Sequence, residues 1–165
     1  MRQVEFIPFR LTDMADIFSI KIDGKENSEL QEFFINFKDT TNIDLQNDFE
    51  QIIKSLVGIG NQGAKESFFR PEGKMKDRVC AIPLLLSTKR NKQQNGTLRV
   101  YCLRISDELL IVGGGGIKTT QTYEEDEKLT AHVQTLQRID KELSKIENDG
   151  RDLHKEIYNL TIQID

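Results

Sequence analysis

The sequence has no long apolar run, only two cysteines and only two histidines among its 165 residues. No apolar segment approaches the roughly 18–20 residues that a membrane-spanning helix requires. The N-terminus is charged and interrupted by Pro8, unlike a secretion signal. These absences favour a cytoplasmic protein that has no membrane partner.

The few cysteines and histidines also limit the chemistry that we expect. Cys80 and Cys102 each lie inside an apolar segment, so we expect buried free thiols in a reducing compartment. Neither cysteine is spaced from the other, or from His132 and His154, as metal ligands are. We therefore predict no metal site and no cofactor.

Charge is distributed unevenly along the chain. The net charge is −4, which alone argues against nucleic-acid binding. The stretch from Lys65 to Lys118, however, holds eleven Lys or Arg against five Asp or Glu, whereas the remaining residues hold twelve against twenty-two. A basic middle between acidic ends indicates either an anionic partner or a solvated surface with chance clustering.

The pattern of apolar residues predicts an α+β fold: a helical hairpin packed on a small antiparallel β-meander, with a long C-terminal helix or helix pair. Ser28 is a plausible N-cap of the first helix, and Gly58 or Gly60 is expected to end the second. The predicted strands are 16–23, 78–86, 98–105 and 109–114, and the predicted helices are 28–39 and 42–60.

From Leu129 onward the apolar residues follow a heptad pattern. One series is Leu129, Leu136, Leu143, Gly150, Ile157 and Ile164, and the other is His132, Ile139, Ile146, Leu153 and Leu160. The pattern indicates either a helix that forms a coiled coil or two helices that fold back on one another. Because the heptad phase survives Gly150, it favours one continuous or gently kinked helix. Such a helix can also pack on its own domain, and His132 at a core position is then a tolerated polar residue.

Four consecutive glycines, Gly113–Gly116, precede Lys118 and suggest a phosphate-binding loop. The Walker pattern G-x-x-x-x-G-K-[ST] fails, because Ile117 stands where a glycine must precede the lysine and Val112 occupies the first glycine position. No parallel sheet is predicted to support such a loop. The glycines instead indicate a bulge, a bend or a close approach of another chain in a strand, with Lys118 at the rim of the sheet.

The basic residues of the predicted sheet could serve metal-free RNA cleavage. In that reaction the 2′-hydroxyl is the nucleophile, so the protein supplies a base, an acid and positive charge for the transition state. Arg99 and Arg104 are five residues apart, so on a regular strand they point to opposite faces. Tyr101 shares a face with Arg99, and Tyr123 follows the last strand; tyrosines can stack on bases.

The order of these elements resembles the RelE/HigB superfamily of bacterial toxins. A strand and a helical hairpin precede "FFRPEG", and the meander and last helix follow in "GTLRVYCLRISDELLIVGGGGIKTTQTYEEDEKLTAHVQTL". The resemblance covers roughly Ile17 to Leu136. It implies a RelE-like domain over residues 1–123, followed by a helical or coiled-coil segment over 124–165.

The resemblance also implies a function and a set of site residues. Members of the superfamily are typically ribosome-dependent, metal-independent mRNA endoribonucleases, each neutralised by an antitoxin protein. By position, it implies catalytic roles for Lys118, Arg104, Arg99 and Tyr123. It further implies RNA contacts by Arg70, Lys74, Lys76 and Arg78. This chain departs from the superfamily in its acidic net charge and its long C-terminal heptad segment.

A second hypothesis is a non-catalytic interaction protein that keeps the same fold. In that case the C-terminal heptads would form a coiled coil and drive homo-oligomerisation.

Overall fold

The computed structural model describes residues 1–71, 77–84, 96–119 and 126–165. Within these residues the strands are β1 (Arg2–Leu11), β2 (Asp16–Ile22), β3 (Arg70–Pro71), β4 (Val79–Ala81), β5 (Thr97–Ser106), β6 (Leu109–Lys118) and β7 (Thr161–Ile164). The α-helices are α1 (Glu29–Phe37), α2 (Ile43–Gln62), α3 (Glu127–Asn148) and α4 (Leu153–Glu156). No helix in the described part of the chain is long and apolar enough to cross a membrane.

The seven described strands form one mixed sheet in the order β3-β4-β5-β6-β2-β1-β7. As predicted, β4, β5 and β6 form an antiparallel meander. A parallel pair of strands was not predicted, but β2 pairs in parallel with β6 from Asp16 opposite Leu109 to Ser19 opposite Val112. The alternation of apolar residues marks a strand and its faces but carries no information on its direction.

Helices cover both faces of the sheet, so the fold is α+β with two apolar cores. On one face α1 and α2 pack through Leu30, Phe33, Leu45, Ile52, Leu56 and Ile59. On the other face α3 packs through Leu129, Val133, Leu136, Ile139, Leu143 and Ile146. Successive residues of β5 alternate between these cores, with Val100 and Cys102 in the first and Tyr101 and Leu103 in the second.

The helical hairpin begins where the sequence predicts but extends further. The Ser28 Oγ accepts a hydrogen bond from the Gln31 N–H, and the Gln31 side chain accepts one from the Ser28 N–H, which completes a capping box. The prediction that Gly58 or Gly60 ends α2 was wrong. Helix α2 continues to Gln62, and Gly63, with a φ of 98°, follows it.

The C-terminal segment is not one continuous helix, so that prediction was wrong. Helix α3 ends at Asn148, and Gly150 takes a left-handed φ of 80° that glycine adopts readily. The chain then forms α4, a short 3₁₀ turn and β7, which pairs antiparallel with β1. The apolar residues of both heptad series are buried or packed against this chain's own core, from Leu129 to Ile164.

The predicted boundary after residue 123 falls outside the described residues. What the described part shows is a shared core, because α3 and β7 pack on or pair with strands from the first 119 residues.

Candidate functional site

The glycine run lies within β6, which continues through it to Lys118. Val100 is opposite Gly115 while Cys102 is opposite Val112, so Gly113 and Gly114 together face the single residue Tyr101. This is a β-bulge, as the glycines predict. A Cβ on Gly115 would lie 1.9 Å from the Arg99 carbonyl oxygen, so the bulge requires glycine there.

Beyond the bulge, β6 separates from its parallel neighbour. The pairing with β2 stops at Ser19 opposite Val112, whereas β2 remains paired with β1 as far as Ile22 opposite Val4. In the described residues no strand pairs with β6 on this side from Gly113 onward. The chain leaves β2 toward α1 on one face and leaves β6 toward α3 on the other. In open sheets, the crevice at the carboxyl ends of two such strands is where ligands commonly bind.

Two cavities flank the separated strands, and His132 of α3 lines both. The smaller, of about 200 Å³, extends to Lys25, which precedes α1, and to Glu29, the first residue of α1. The larger, of about 730 Å³, runs along Gly115–Ile117 between the end of α1 and the start of α3. The second volume lies within the range of about 300–1,000 Å³ that is common for ligand sites.

His132 fits against the strand only because residue 114 is a glycine. A Cβ on Gly114 would lie 2.5 Å from the His132 Nδ1 and 3.2 Å from the Glu29 Oε2. Burial lowers the pKa of His132 below its ordinary 6.5, and the nearby carboxylates of Glu29 and Asp126 only partly oppose this effect. This shift favours the neutral form of the imidazole. The sequence signal was present, since His132 breaks the heptad, but nothing in it showed that a glycine lies opposite.

The structure brings together two of the predicted catalytic residues, Arg99 and Lys118. Arg99 is opposite Gly116, and Lys118 is two residues further along β6. This diagonal relation places residues on one face about 7–8 Å apart. Arg99 shares the face of Tyr101, which belongs to the α3 core, and Gly116 also faces α3 at Leu129. The two cations thus lie at the same end of the sheet, on the side covered by α3.

Among the described residues, no carboxylate is paired with the Arg99 guanidinium. The side chain of Arg99 is half-buried, and its Nε is buried without a hydrogen-bond partner in that part of the chain. Partial burial of a guanidinium without a paired carboxylate costs free energy, and a bound anion would offset this cost.

Arg104, also predicted to be catalytic, lies elsewhere. As the spacing of five predicts, it is on the face opposite to Arg99, and it is near the far end of β5, opposite Leu110. Its Nε donates to the Ala64 carbonyl oxygen at 2.7 Å, and its Nη2 forms an ion pair with Asp107. Both contacts give Arg104 a structural role in holding the chain that follows α2.

Arg78, predicted to contact RNA, joins β4 to α3. Its Nε lies 2.7 Å from the Asp140 Oδ1, and its Nη2 lies 2.8 Å from the Glu147 Oε1 and 3.2 Å from the Ser144 Oγ. The arginine charge is thus matched by two carboxylates of this chain, and the pKa of Arg78 is raised by them despite its partial burial.

The remaining predicted site residues cannot be placed. Lys74, Lys76 and Tyr123 lie outside the described residues. The backbone of Arg70 pairs with Ala81 at the edge of the sheet, but its side chain is outside the described part.

Comparisons of this chain with models of known families, with curated proteins and with solved structures give no match. The described residues contain no group of three or more His, Cys, Asp or Glu side chains arranged to hold a metal ion.

Proposed function

We propose that this protein is a RelE-like toxin of a toxin–antitoxin pair, a metal-independent endoribonuclease that cleaves mRNA on the ribosome. The observation that carries the proposal is the pairing of Arg99 and Lys118 on one face of the sheet, beside the crevice between β2 and β6. The run from β2 through α1, α2 and the meander to α3 also follows the order of elements on which the resemblance to these toxins rests.

The proposed chemistry is an internal transfer of the phosphate within the RNA. The 2′-hydroxyl loses its proton and attacks the adjacent phosphorus, and the 5′-oxygen of the next nucleotide leaves and takes up a proton from solvent. Arg99 has no anionic partner in the described residues, so it is suited to hold the phosphate and to stabilise the charge that develops on its oxygens. Lys118 acts as the base or as a second electrostatic partner, and Tyr123 stacks on a base.

The test is cleavage of a defined mRNA on purified ribosomes by single variants of the full chain. We expect Arg99→Ala and Lys118→Ala each to lower the cleavage rate about 10²–10³-fold, as does loss of one donor to a developing oxyanion. Matched controls are Arg138→Ala and Lys145→Ala, which remove the same charges at exposed positions of α3. These controls are expected to cleave at the wild-type rate.

A wild-type chain that neither inhibits growth when expressed nor cleaves mRNA on ribosomes would overturn the proposal. Equal losses in all four variants would also contradict it, because the effect would then follow net charge and not the paired site.

The alternative, a scaffold that associates through its C-terminal heptads, has less support. The heptad residues that would form an intermolecular seam, such as Leu136, Ile139 and Leu143, are 0% exposed in a single chain. Association through this face would require α3 to leave its own sheet, which would expose the apolar core.

A further inference from the structure

Beside β6 lies a groove that the proposed cleavage chemistry does not use. Its floor is the backbone of Gly115–Ile117, one wall is Asn36 and Phe37 at the end of α1, and the other is the start of α3 from Asp126 to Leu129. His132 also lines the groove. With a volume of about 730 Å³, it is large enough for a small organic ligand.

The floor of the groove offers backbone hydrogen bonds. On its other side this part of β6 pairs with β5, with Val100 opposite Gly115 and Arg99 opposite Gly116. Along a strand, N–H and C=O groups point alternately to either neighbour. Because the described residues supply no strand on the groove side, some of these groups face the groove, and glycine has no side chain to cover them. Alternating donors and acceptors match the edge of a nucleobase.

The walls favour a flat, neutral group over a phosphate. Phe37 is half-buried, lies 5.0 Å from Phe33 between ring centroids and lines the groove, where an aromatic ring can stack on a base. Asp126, Glu127 and Lys128 line the opposite wall, so the net charge of this wall is negative and does not favour a phosphate inside the groove.

The two cations Arg99 and Lys118 lie close to the groove. Lys118 follows Ile117 directly, and Ile117 and Thr119 both line the groove. Lys118 and Arg99 lie on the α3-facing side of this same end of the sheet. A nucleotide whose base occupied the groove would therefore have its phosphate at the end of the sheet where the two cations lie.

We propose that the groove along Gly115–Ile117 is a nucleobase subsite, which holds one unstacked base of the RNA while Arg99 and Lys118 hold its phosphate. The inference rests on the proposed function for its phosphate partner, but it concerns binding and is tested by binding alone. Stacking by Phe37 and hydrogen bonds from the strand edge and His132 fix the base in place.

The experiment is a titration of the full chain, labelled with ¹⁵N, with each of the four ribonucleoside 5′-monophosphates, followed by NMR. Ribose 5-phosphate and inorganic phosphate serve as probes that lack the base. We expect at least one nucleotide to shift the amide signals of Gly115 and Gly116, whereas the two base-free probes leave these signals unchanged.

Two variants of α1 test the role of the aromatic wall. Phe37→Leu keeps an apolar side chain in the core but removes the stacking surface, and we expect it to weaken nucleotide binding about tenfold. The matched control is Ile35→Ala, an apolar residue of the same helix that is 52% exposed and does not line the groove. It is expected to bind as the wild type does. An unchanged NMR spectrum away from the groove confirms that each variant is folded.

The subsite is overturned if ribose 5-phosphate shifts the two glycine signals as strongly as the nucleotides do, or if Phe37→Leu binds like the wild type. It is also overturned if only an extended peptide, and no nucleotide, shifts them, because the free edge of β6 would then accept a strand. Nucleotide binding without RNA cleavage would refute the proposed function and leave the subsite standing. RNA cleavage together with binding that does not depend on the base would refute the subsite and leave the proposed function standing.

Discussion

At the scale of single residues, the four glycines of β6 have four different surroundings. A Cβ on Gly113 would meet Leu136 at 3.1 Å, one on Gly114 would meet His132 at 2.5 Å, and one on Gly115 would meet backbone at 1.9 Å. A Cβ on Gly116 would meet only Leu129, at an ordinary 3.5 Å. The first three glycines are thus explained by packing, whereas the fourth is not.

This difference predicts opposite outcomes for two neighbouring substitutions. We expect Gly115→Ala to lower the free energy of unfolding by about 1–3 kcal/mol, because the backbone of Arg99 must move to admit the methyl group. Gly116→Ala is expected to change it by less than about 0.5 kcal/mol. Chemical denaturation of both variants measures this difference, and equal losses of stability would contradict a close contact between Gly115 and the Arg99 backbone.

His132 makes stability depend on pH in a specific direction. Burial lowers the pKa of His132 in the folded chain below 6.5, so at intermediate pH the unfolded chain binds more protons than the folded one. Stability is therefore lost as the pH falls through about 6.5, and the loss is complete below the folded-state pKa. In the described part of the chain, the charged residues that line the two cavities beside His132 are Arg2, Asp23, Lys25, Glu29, Asp126, Glu127 and Lys128.

The matching variant is His132→Asn, which keeps a hydrogen-bonding side chain that does not titrate. Between about pH 8 and about pH 5, we expect the wild type to lose more free energy of unfolding than this variant does. The difference between the two plots of unfolding free energy against pH separates the contribution of His132 from that of the other titrating groups. Parallel curves would mean that the imidazole is not held neutral by the fold.

The sequence suggested candidate residues for the site. Lys118 was suggested by the glycine run before it, and both Lys118 and Arg99 were suggested by the basic residues of the sheet and by the resemblance to the toxins. Their meeting depends on the register that sets Arg99 opposite Gly116, and periodicity does not define a register. The roles of Arg78 and Arg104 could not be predicted. Arg78 is paired with Asp140 across 62 residues of sequence, and Arg104 contacts Ala64 across 40.

At the scale of elements, α3 is attached to β4 by Arg78 as well as by apolar packing. Asp140 is only 7% exposed in its side chain and accepts hydrogen bonds from both the Arg78 Nε and the Arg78 N–H. We expect Arg78→Met to lower the free energy of unfolding by about 3 kcal/mol, because it leaves a buried carboxylate without its charge partner. Chemical denaturation provides the measurement.

Two further variants separate this ion pair from general charge loss. The double variant Arg78→Met with Asp140→Leu should recover part of the stability, since neither charge then remains buried. Lys145→Ala breaks an exposed pair with Glu142 and should cost less than about 1 kcal/mol. If Arg78→Met is as mild as Lys145→Ala, the ion pair does not hold α3 to the sheet.

The heptad pattern of the C-terminal segment reflects packing of this segment on its own chain. Up to Ile146 it marks the stripe by which α3 packs on its own sheet. Beyond Gly150 the same spacing is produced by α4, a 3₁₀ turn and β7, where Ile162 and Ile164 alternate with exposed residues. A period of seven does not distinguish a partner chain from the chain's own sheet, because either buries one stripe.

At the scale of the whole molecule, the sequence predicted the middle of the fold and missed its edge. The order from β2 through the helical hairpin and the meander to α3 was predicted. Strand β1 was missed because Pro8 interrupts its pattern; this proline is tolerated at a register irregularity, beyond the part of β1 that pairs with β7. Strand β7 has only four residues, too few for a periodic signal.

The strands β1 and β7 form one edge of the sheet and support β2. Because β7 pairs with β1, and β1 pairs with β2, the last residues of the chain extend the sheet on the side away from the meander. β2 therefore remains paired with β1 beyond the point where its pairing with β6 ends. The crevice lies between β2 and β6 at that point. The candidate site is thus a consequence of the complete sheet and not of the glycine run alone.

The central claim, that Arg99 and Lys118 promote attack by an RNA 2′-hydroxyl, is tested most directly by the chemistry of the cleaved ends. We expect the wild-type chain, acting on ribosome-bound mRNA, to leave a 5′-hydroxyl on one fragment and a 2′,3′-cyclic phosphate or its 3′-phosphate product on the other. Arg99→Ala and Lys118→Ala should yield few such ends. Intact mRNA, or fragments that carry a 5′-phosphate and a 3′-hydroxyl, would contradict the account.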